Sequence, residues 1–271
     1  MLNTLRSAWI WFSIALLVLL WMPVMAVTRL FDRDPVHYAT GRMFRRLGAA
    51  MTRVNPAWKI RIEGTYPADP RNPYVVVSNH QSNADIPLVS RLPWEMKWVG
   101  KAELFRLPLV GWFMRVSDDI PVDRDSQRSR ATVLIRAMEV LRQHCSVMFF
   151  PEGTRSRDGL LLPFNDGAFR LAIKAQVPIL PLALDGTTDA LPKGGWRFGP
   201  PSDIRLAVLE PIPTEGLTVA DVPALRDRVV ALIAEQLAAW RGVPVAAVLA
   251  GSDAGSMPTV SAASSDAARR G

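Results

Sequence analysis

The chain has 271 residues, 49% of them hydrophobic, and 32 Lys and Arg against 25 Asp and Glu give a formal charge of +7. That length suits one or two domains with a sizeable core, and the composition excludes both a disordered chain and a many-span transporter. The single cysteine, Cys145, excludes an intramolecular disulfide and a cysteine-based zinc cluster, and three histidines (His37, His80 and His144) disfavour a multi-histidine metal site.

From Ser7 to Thr28 no residue is charged, and Arg6 and Arg29 bound the stretch. As a helix its 22 residues rise about 33 Å, the scale of a bilayer's hydrocarbon core. Trp9, Trp11 and Trp21 lie near the two ends, where indole rings favour the headgroup zone. The pattern predicts a membrane-inserted helix over 7–28, which Pro23 can kink. Two alternatives are a buried core helix and a signal peptide cleaved after Val24-Met25-Ala26. The length of the apolar stretch and the lone Arg6 before it disfavour the signal peptide.

Between Arg29 and Arg61 there are eight Lys and Arg against two acids, Asp32 and Asp34. Positive flanks stay cytoplasmic, so the body of the protein is expected on the cytoplasmic face of the inner membrane. Met43, Leu47, Met51 and Val54 repeat at helical spacing, while Arg42, Arg46 and Arg53 lie on another face with Arg45 beside them. This predicts a basic amphipathic helix over about 38–55, suited to anionic headgroups, with a merely solvated surface helix as the alternative. Residues 1–60 thus read as an N-terminal membrane-associated helical segment.

Residues 61–245 read as an α/β domain. The apolar runs 74–78, 146–150, 179–184 and 204–209 predict buried strands. Ser126 can cap a helix running to about His144, and Asp221 one carrying Leu225, Val229, Ile233, Leu237 and Trp240 on one stripe. Alternating strands and helices predict a mixed, mostly parallel sheet flanked by helices. Residues 246–271, rich in Ala, Ser, Asp and Gly without periodicity, read as a disordered tail.

Ligands of open α/β sheets bind beyond the strand C-termini, and two loops stand there. The first is Asn79-His80-Gln81-Ser82-Asn83-Ala84-Asp85. Imidazole, with an ordinary pKa of about 6.5, suits proton abstraction at neutral pH. A helix starting near Ser82 would let Asp85 fold back on His80 and hold one ring nitrogen protonated, leaving the other as base. A helix-capping or core histidine is the alternative. The second loop, Phe150-Pro151-Glu152-Gly153-Thr154-Arg155-Ser156, offers a tight turn at Gly153, an anion-facing Thr154 and the planar fork of Arg155; a plain turn with a surface arginine is its alternative. Neither loop holds a good covalent nucleophile. Cys145 opens a strand and reads as packing, and Ser78 lacks a Gly-x-Ser-x-Gly elbow.

Together these motifs resemble the glycerolipid acyltransferases, and among them the 1-acyl-sn-glycerol-3-phosphate acyltransferases. Four blocks occur in order over roughly 74–184: Asn79-His80-x4-Asp85, Ile120-Pro121-Val122-Asp123-Arg124, Phe150 to Ser156, and Val177-Pro178-Ile179-Leu180-Pro181-Leu182. The segment Lys101-Ala102-Glu103-Leu104 also resembles one of the family. The second block departs from the pattern: Asp118 stands where a glycine is usual, and Pro121 where an aromatic is usual.

The resemblance implies that His80, oriented by Asp85, deprotonates the sn-2 hydroxyl of lysophosphatidate. The acyl group would come from acyl-CoA or acyl-carrier protein, with no further cofactor and no metal. Arg124 and Arg155, with Lys101 as a weaker candidate, would hold the acceptor phosphate. Glu152, Gly153 and Thr154 would shape that loop, with Glu152 contacting the glycerol or fixing Arg155. The apolar stretch around Leu104, Leu107 and Trp112 would line an acyl groove or pack in the core. Lyso-ornithine lipid, another lysophospholipid or glycerol 3-phosphate are alternative acceptors, and a membrane-tethered hydrolase is a rival of another class. The expected partners are membrane lipids and the acyl donor; no nucleic acid is expected.

Overall fold

The computed structural model describes residues 2–123 and 125–250. Seven strands form one sheet: β1 (Trp58–Gly64), β2 (Val75–Ser78), β3 (Met96–Lys101), β4 (Ile120–Val122), β5 (Ser146–Phe149), β6 (Ile179–Asp185) and β7 (Ser202–Val208). Their spatial order is β1-β7-β6-β2-β5-β3-β4, with every pairing parallel except the antiparallel β6–β7. The mostly parallel sheet is thus as the sequence predicts.

Helices cover both faces, which is why the central strands are continuously apolar. In β2, Val75 and Val77 point into one core with α5 (Gln127–Arg142), α6 (Gly167–Ala175) and α8 (Val222–Arg241). Val76 points into the other core, with Leu88 and Val89 of α3 (Asp85–Val89) and Ala190 of α7 (Thr187–Ala190). The Ser126 hydroxyl caps α5 by accepting from Ser129 N. At α8 the cap differs from expectation. Asp221 pairs back with Thr218 in a capping box around a 3-10 turn, and α8 begins one residue later.

Three strands escape the search for apolar runs: β1, β3 and the three-residue β4. β1 is an edge strand that alternates Trp58, Ile60 and Ile62 with Lys59, Arg61 and Glu63. β3 carries the fully buried Lys97. The domain also extends past 245: Val248 is buried, and Leu161 bridges Leu249. Residues 251–271 of the expected tail lie outside the described residues.

At the N-terminus α1 (Leu2–Phe31) is longer than the uncharged stretch, taking in Arg6 and Arg29, and it runs through Pro23. Its inner residues Ile10 and Met25 are buried against the rest of the chain. Ile10 packs with Ala84, Leu191 and Phe198. Met25 packs with Leu47 of α2 (Tyr38–Met51) and Phe113 of α4 (Val110–Val116). α2 stops before the expected 55. Arg45, expected beside the basic face, is instead buried, paired with Asp119 and with Glu95 at 3.5 Å. Arg42 turns toward the carbonyl of Leu92 at 2.7 Å, so Arg46 and Arg53 remain as the exposed cations of that face.

Candidate active site

Val77 of β2 faces Phe149 of β5 in the parallel register, so the loops that follow emerge side by side. The first is pinned from within: Asn79 is buried, donates from Nδ2 to Leu184 O (2.9 Å) and accepts from Leu184 N (2.8 Å). His80 Nδ1 then donates to Asp85 Oδ2 at 2.7 Å. That oxygen also accepts from Gln81 N (2.7 Å) and Ser82 N (2.9 Å). Asp85 opens α3, and its buried carboxylate ties down the backbone of the preceding turn while it orients the ring. The ring is fixed on its other side by Phe150, stacked at 4.0 Å between centroids. With Nδ1 committed, the lone pair belongs to Nε2, which has no protein partner among the described residues.

The second loop is tied to the first by two bonds. Ser156 N donates to His80 O (2.8 Å), and His80 N donates to Glu152 Oε1 (2.8 Å). Glu152 is buried, and burial pushes its carboxyl up to about 8, with Asp85 adding in the same direction. It braces the backbone of the histidine loop and makes no bond to Arg155 among the described residues. Gly153 takes φ +70° at the turn, a conformation that a side chain would strain. Thr154 is exposed, and Arg155 is half-buried with its guanidinium unpaired among the described residues. Histidine, carboxylate and an available arginine thus stand on adjoining loops at one end of the sheet.

A family model described as Acyltransferase matches residues 59–185. The 1-acyl-sn-glycerol-3-phosphate acyltransferase alpha of Homo sapiens is 40% identical over 173 residues, 63% of this chain and 61% of the relative. The chloroplastic 1-acyl-sn-glycerol-3-phosphate acyltransferase BAT2 of Brassica napus is 36% identical over 187 residues, 68% of this chain and 53% of the relative. By the family match the chain carries an acyltransferase domain over residues 59–185. It spans 61% and 53% of the length of those two relatives. The crystal structure of the 1-acyl-sn-glycerophosphate acyltransferase PlsC from Thermotoga maritima matches with a TM-score of 0.74 at 26% identity, over 88% of this chain and 96% of that one.

Within this domain the departures of the second block have a physical account. Asp118 sits at φ +56°, a left-handed conformation that glycine adopts freely and aspartate tolerates. Its carboxylate also pairs with His37 Nδ1. Pro121 lies in β4, at the edge of the sheet, where a missing N–H costs least. Arg124 lies outside the described residues. Lys101 is exposed and pairs with Glu103 at 3.1 Å.

Of the apolar stretch expected to line an acyl groove or pack in the core, Leu104 and Leu107 are exposed, while Phe113 and Met114 are buried. A cavity of about 340 Å³ opens beside Phe150 and Gly153, walled by Val99, Val122, Leu134 and Phe149 among others. Its walls come from five separate segments of the chain, so no single apolar stretch marks it. The ring stacking of Phe150 was equally silent in the sequence; an aromatic following a β-strand carries no distinctive signal.

Proposed function

We propose that this chain transfers an acyl group from a thioester donor, acyl-CoA or acyl-carrier protein, to the sn-2 hydroxyl of 1-acyl-sn-glycerol-3-phosphate, giving phosphatidate. The observation that carries the reading is the 2.7 Å bond from His80 to Asp85, at the end of β2 beside the loop bearing Arg155. His80 Nε2 takes the proton of the acceptor hydroxyl as its oxygen attacks the thioester carbonyl. Asp85 stabilises the imidazolium that forms. Collapse of the tetrahedral intermediate expels the thiolate, and the imidazolium returns the proton to it. Arg155 holds the phosphate by charge-assisted hydrogen bonds, joined in this reading by Arg124 and, more weakly, by Lys101. The apolar cavity beside Phe150 suits the acyl chain.

Membrane attachment belongs to the same reading, because acceptor and product are bilayer lipids. Support comes from α1, whose side away from the protein carries exposed Trp9, Phe12, Leu16 and Leu20. Export with cleavage after Ala26 would remove Ile10 and Met25 from two buried clusters, which favours a retained helix on the cytoplasmic face of the inner membrane.

The test offers acyl-CoA to the purified protein in vesicles, with and without lysophosphatidate, and follows thiol release. Release that depends on the acceptor is expected. Equal release without it would mark a hydrolase and overturn the transferase reading. Lyso-ornithine lipid, other lysophospholipids and glycerol 3-phosphate, run in parallel, rank the acceptors. His80→Ala should lower kcat by about 10³-fold; a near-normal rate would remove the histidine from its role as base.

A further inference from the structure

Between α7 and β7 the chain makes a strap, residues 191–199, that no strand or helix requires. Its first contact is with the histidine loop: the Ser82 hydroxyl donates to Leu191 O. Pro192 to Gly195 form a tight turn closed by Gly195 N on Pro192 O (3.1 Å), with Gly194 at φ +82°. Lys193 stands at the tip of that turn. Its Nζ donates to Arg155 O at 2.6 Å and Thr154 Oγ1 at 3.3 Å. The strap then returns to the membrane helix. Trp11 Nε1 donates to Trp196 O (2.6 Å), Phe198 N donates to Ser7 Oγ (3.0 Å), and Arg6 reaches the Gly199 carbonyl. The Phe198 ring lies between Trp11 (5.4 Å) and Trp58 (5.7 Å).

The fixed ends explain why Lys193 points where it does. Both ends of the strap are anchored, and Gly194 makes the reversal that turns the lysine toward the neighbouring loop. An ammonium has three N–H donors, and two are spent on the backbone and hydroxyl of the residues that present Arg155. The third has no partner among the described residues.

We propose that Lys193 is a positioning and specificity residue for the acceptor's anionic headgroup: it braces the Thr154–Arg155 loop and adds its own charge to the loop that carries Arg155. The ligand chemistry it selects is a phosphate monoester on a lipid glycerol. The inference rests on the reading of this site as the place where an anionic lysolipid is acylated. It extends that reading to a segment outside the four sequence blocks.

Three variants separate bracing from charge. Lys193→Ala removes both, Lys193→Gln keeps a donor for Arg155 O without charge, and Lys193→Arg keeps charge. The protein is assayed in neutral phosphatidylcholine vesicles with acyl-CoA and lysophosphatidate. For Lys193→Ala the acceptor KM should rise on the order of ten-fold, as loss of a hydrogen bond to a charged group does, with kcat and the acyl-CoA KM within two-fold of the parent on the order expected for an untouched chemical step. Lys193→Arg should restore the acceptor KM, and Lys193→Gln should restore it only in part. An unchanged acceptor KM in Lys193→Ala, full recovery in Lys193→Gln, or an equal rise in the donor KM would each overturn the proposal while leaving the transferase reading intact. Absence of acceptor-dependent thiol release in the parent protein is the separate result that would overturn both.

Discussion

Glu152 sits at the residue-scale joint between the two loops of the site. Its Oε1 accepts from His80 N, and the backbone of Leu162 also bonds to it, yet Oε2 is buried with no partner among the described residues. Burial dominates and raises the carboxyl to about 8 from an ordinary value of 4.5. The folded protein therefore keeps a proton that the unfolded chain has lost between those two pH values. Stability from this group is complete below the unfolded value and declines as pH rises through about 8. The decline is at most ~1.4 kcal/mol per pH unit. Glu152→Gln keeps the accepting oxygen and removes the titration. Relative to the parent, its thermal midpoint should therefore climb from pH 5 to pH 8 and level off above. A difference that stays flat across that range would mean that Glu152 is charged in the fold.

Elements are joined by chemistry that sequence patterns conceal. The apolar runs identified β2, β5, β6 and β7 because both faces of each are covered by core. They passed over β3 because Lys97, its second residue, interrupts the apolar run. That lysine is tolerated there by Glu95 at 3.2 Å, itself beside Arg45, which pairs with Asp119. The same cluster misled the reading of α2: Arg45 looked like a solvated cation and is in fact the tether between the N-terminal hairpin and the sheet. It also lies over the rings of Phe44 (4.8 Å) and Trp98 (5.1 Å). The histidine and carboxylate of the site were legible because five residues and one turn separate them. The cavity, Phe150 and the strap were not, because their partners are distant in sequence. Removing one member of a buried ion cluster leaves its partners uncompensated, at a cost of about 3–5 kcal/mol. Arg45→Ala should lower unfolding stability by that order in a urea titration in mild detergent. A loss below about 1 kcal/mol, the range of exposed pairs, would show that the cluster does not tether the hairpin.

At the scale of the whole molecule, α1 has two apolar sides with different duties. Ser7, Ile10 and Met25 are buried on the protein side. Trp9, Phe12, Leu16, Leu20, Val24 and Val27 follow one another at three- and four-residue steps on the other side, all exposed. The helix is held by the strap near its start and by α2 and α4 further along. A helix of 30 residues is about 45 Å long, enough to cross a bilayer. A crossing would need it to part from those contacts and expose the buried side to lipid. If it stays docked in this way, the helix is expected to enter one leaflet through its outer stripe, with both of its ends on the same aqueous side. Cysteines placed by Asn3→Cys and Arg33→Cys, both at exposed positions, report this directly. The native Cys145 gives little background, because it is buried and burial pushes its thiol up to about 12. With protein added to sealed vesicles, a membrane-impermeant maleimide outside should label both variants equally before detergent. Labelling of only one until the vesicles are opened would mean that the helix spans the bilayer and that the docked arrangement does not persist in the membrane.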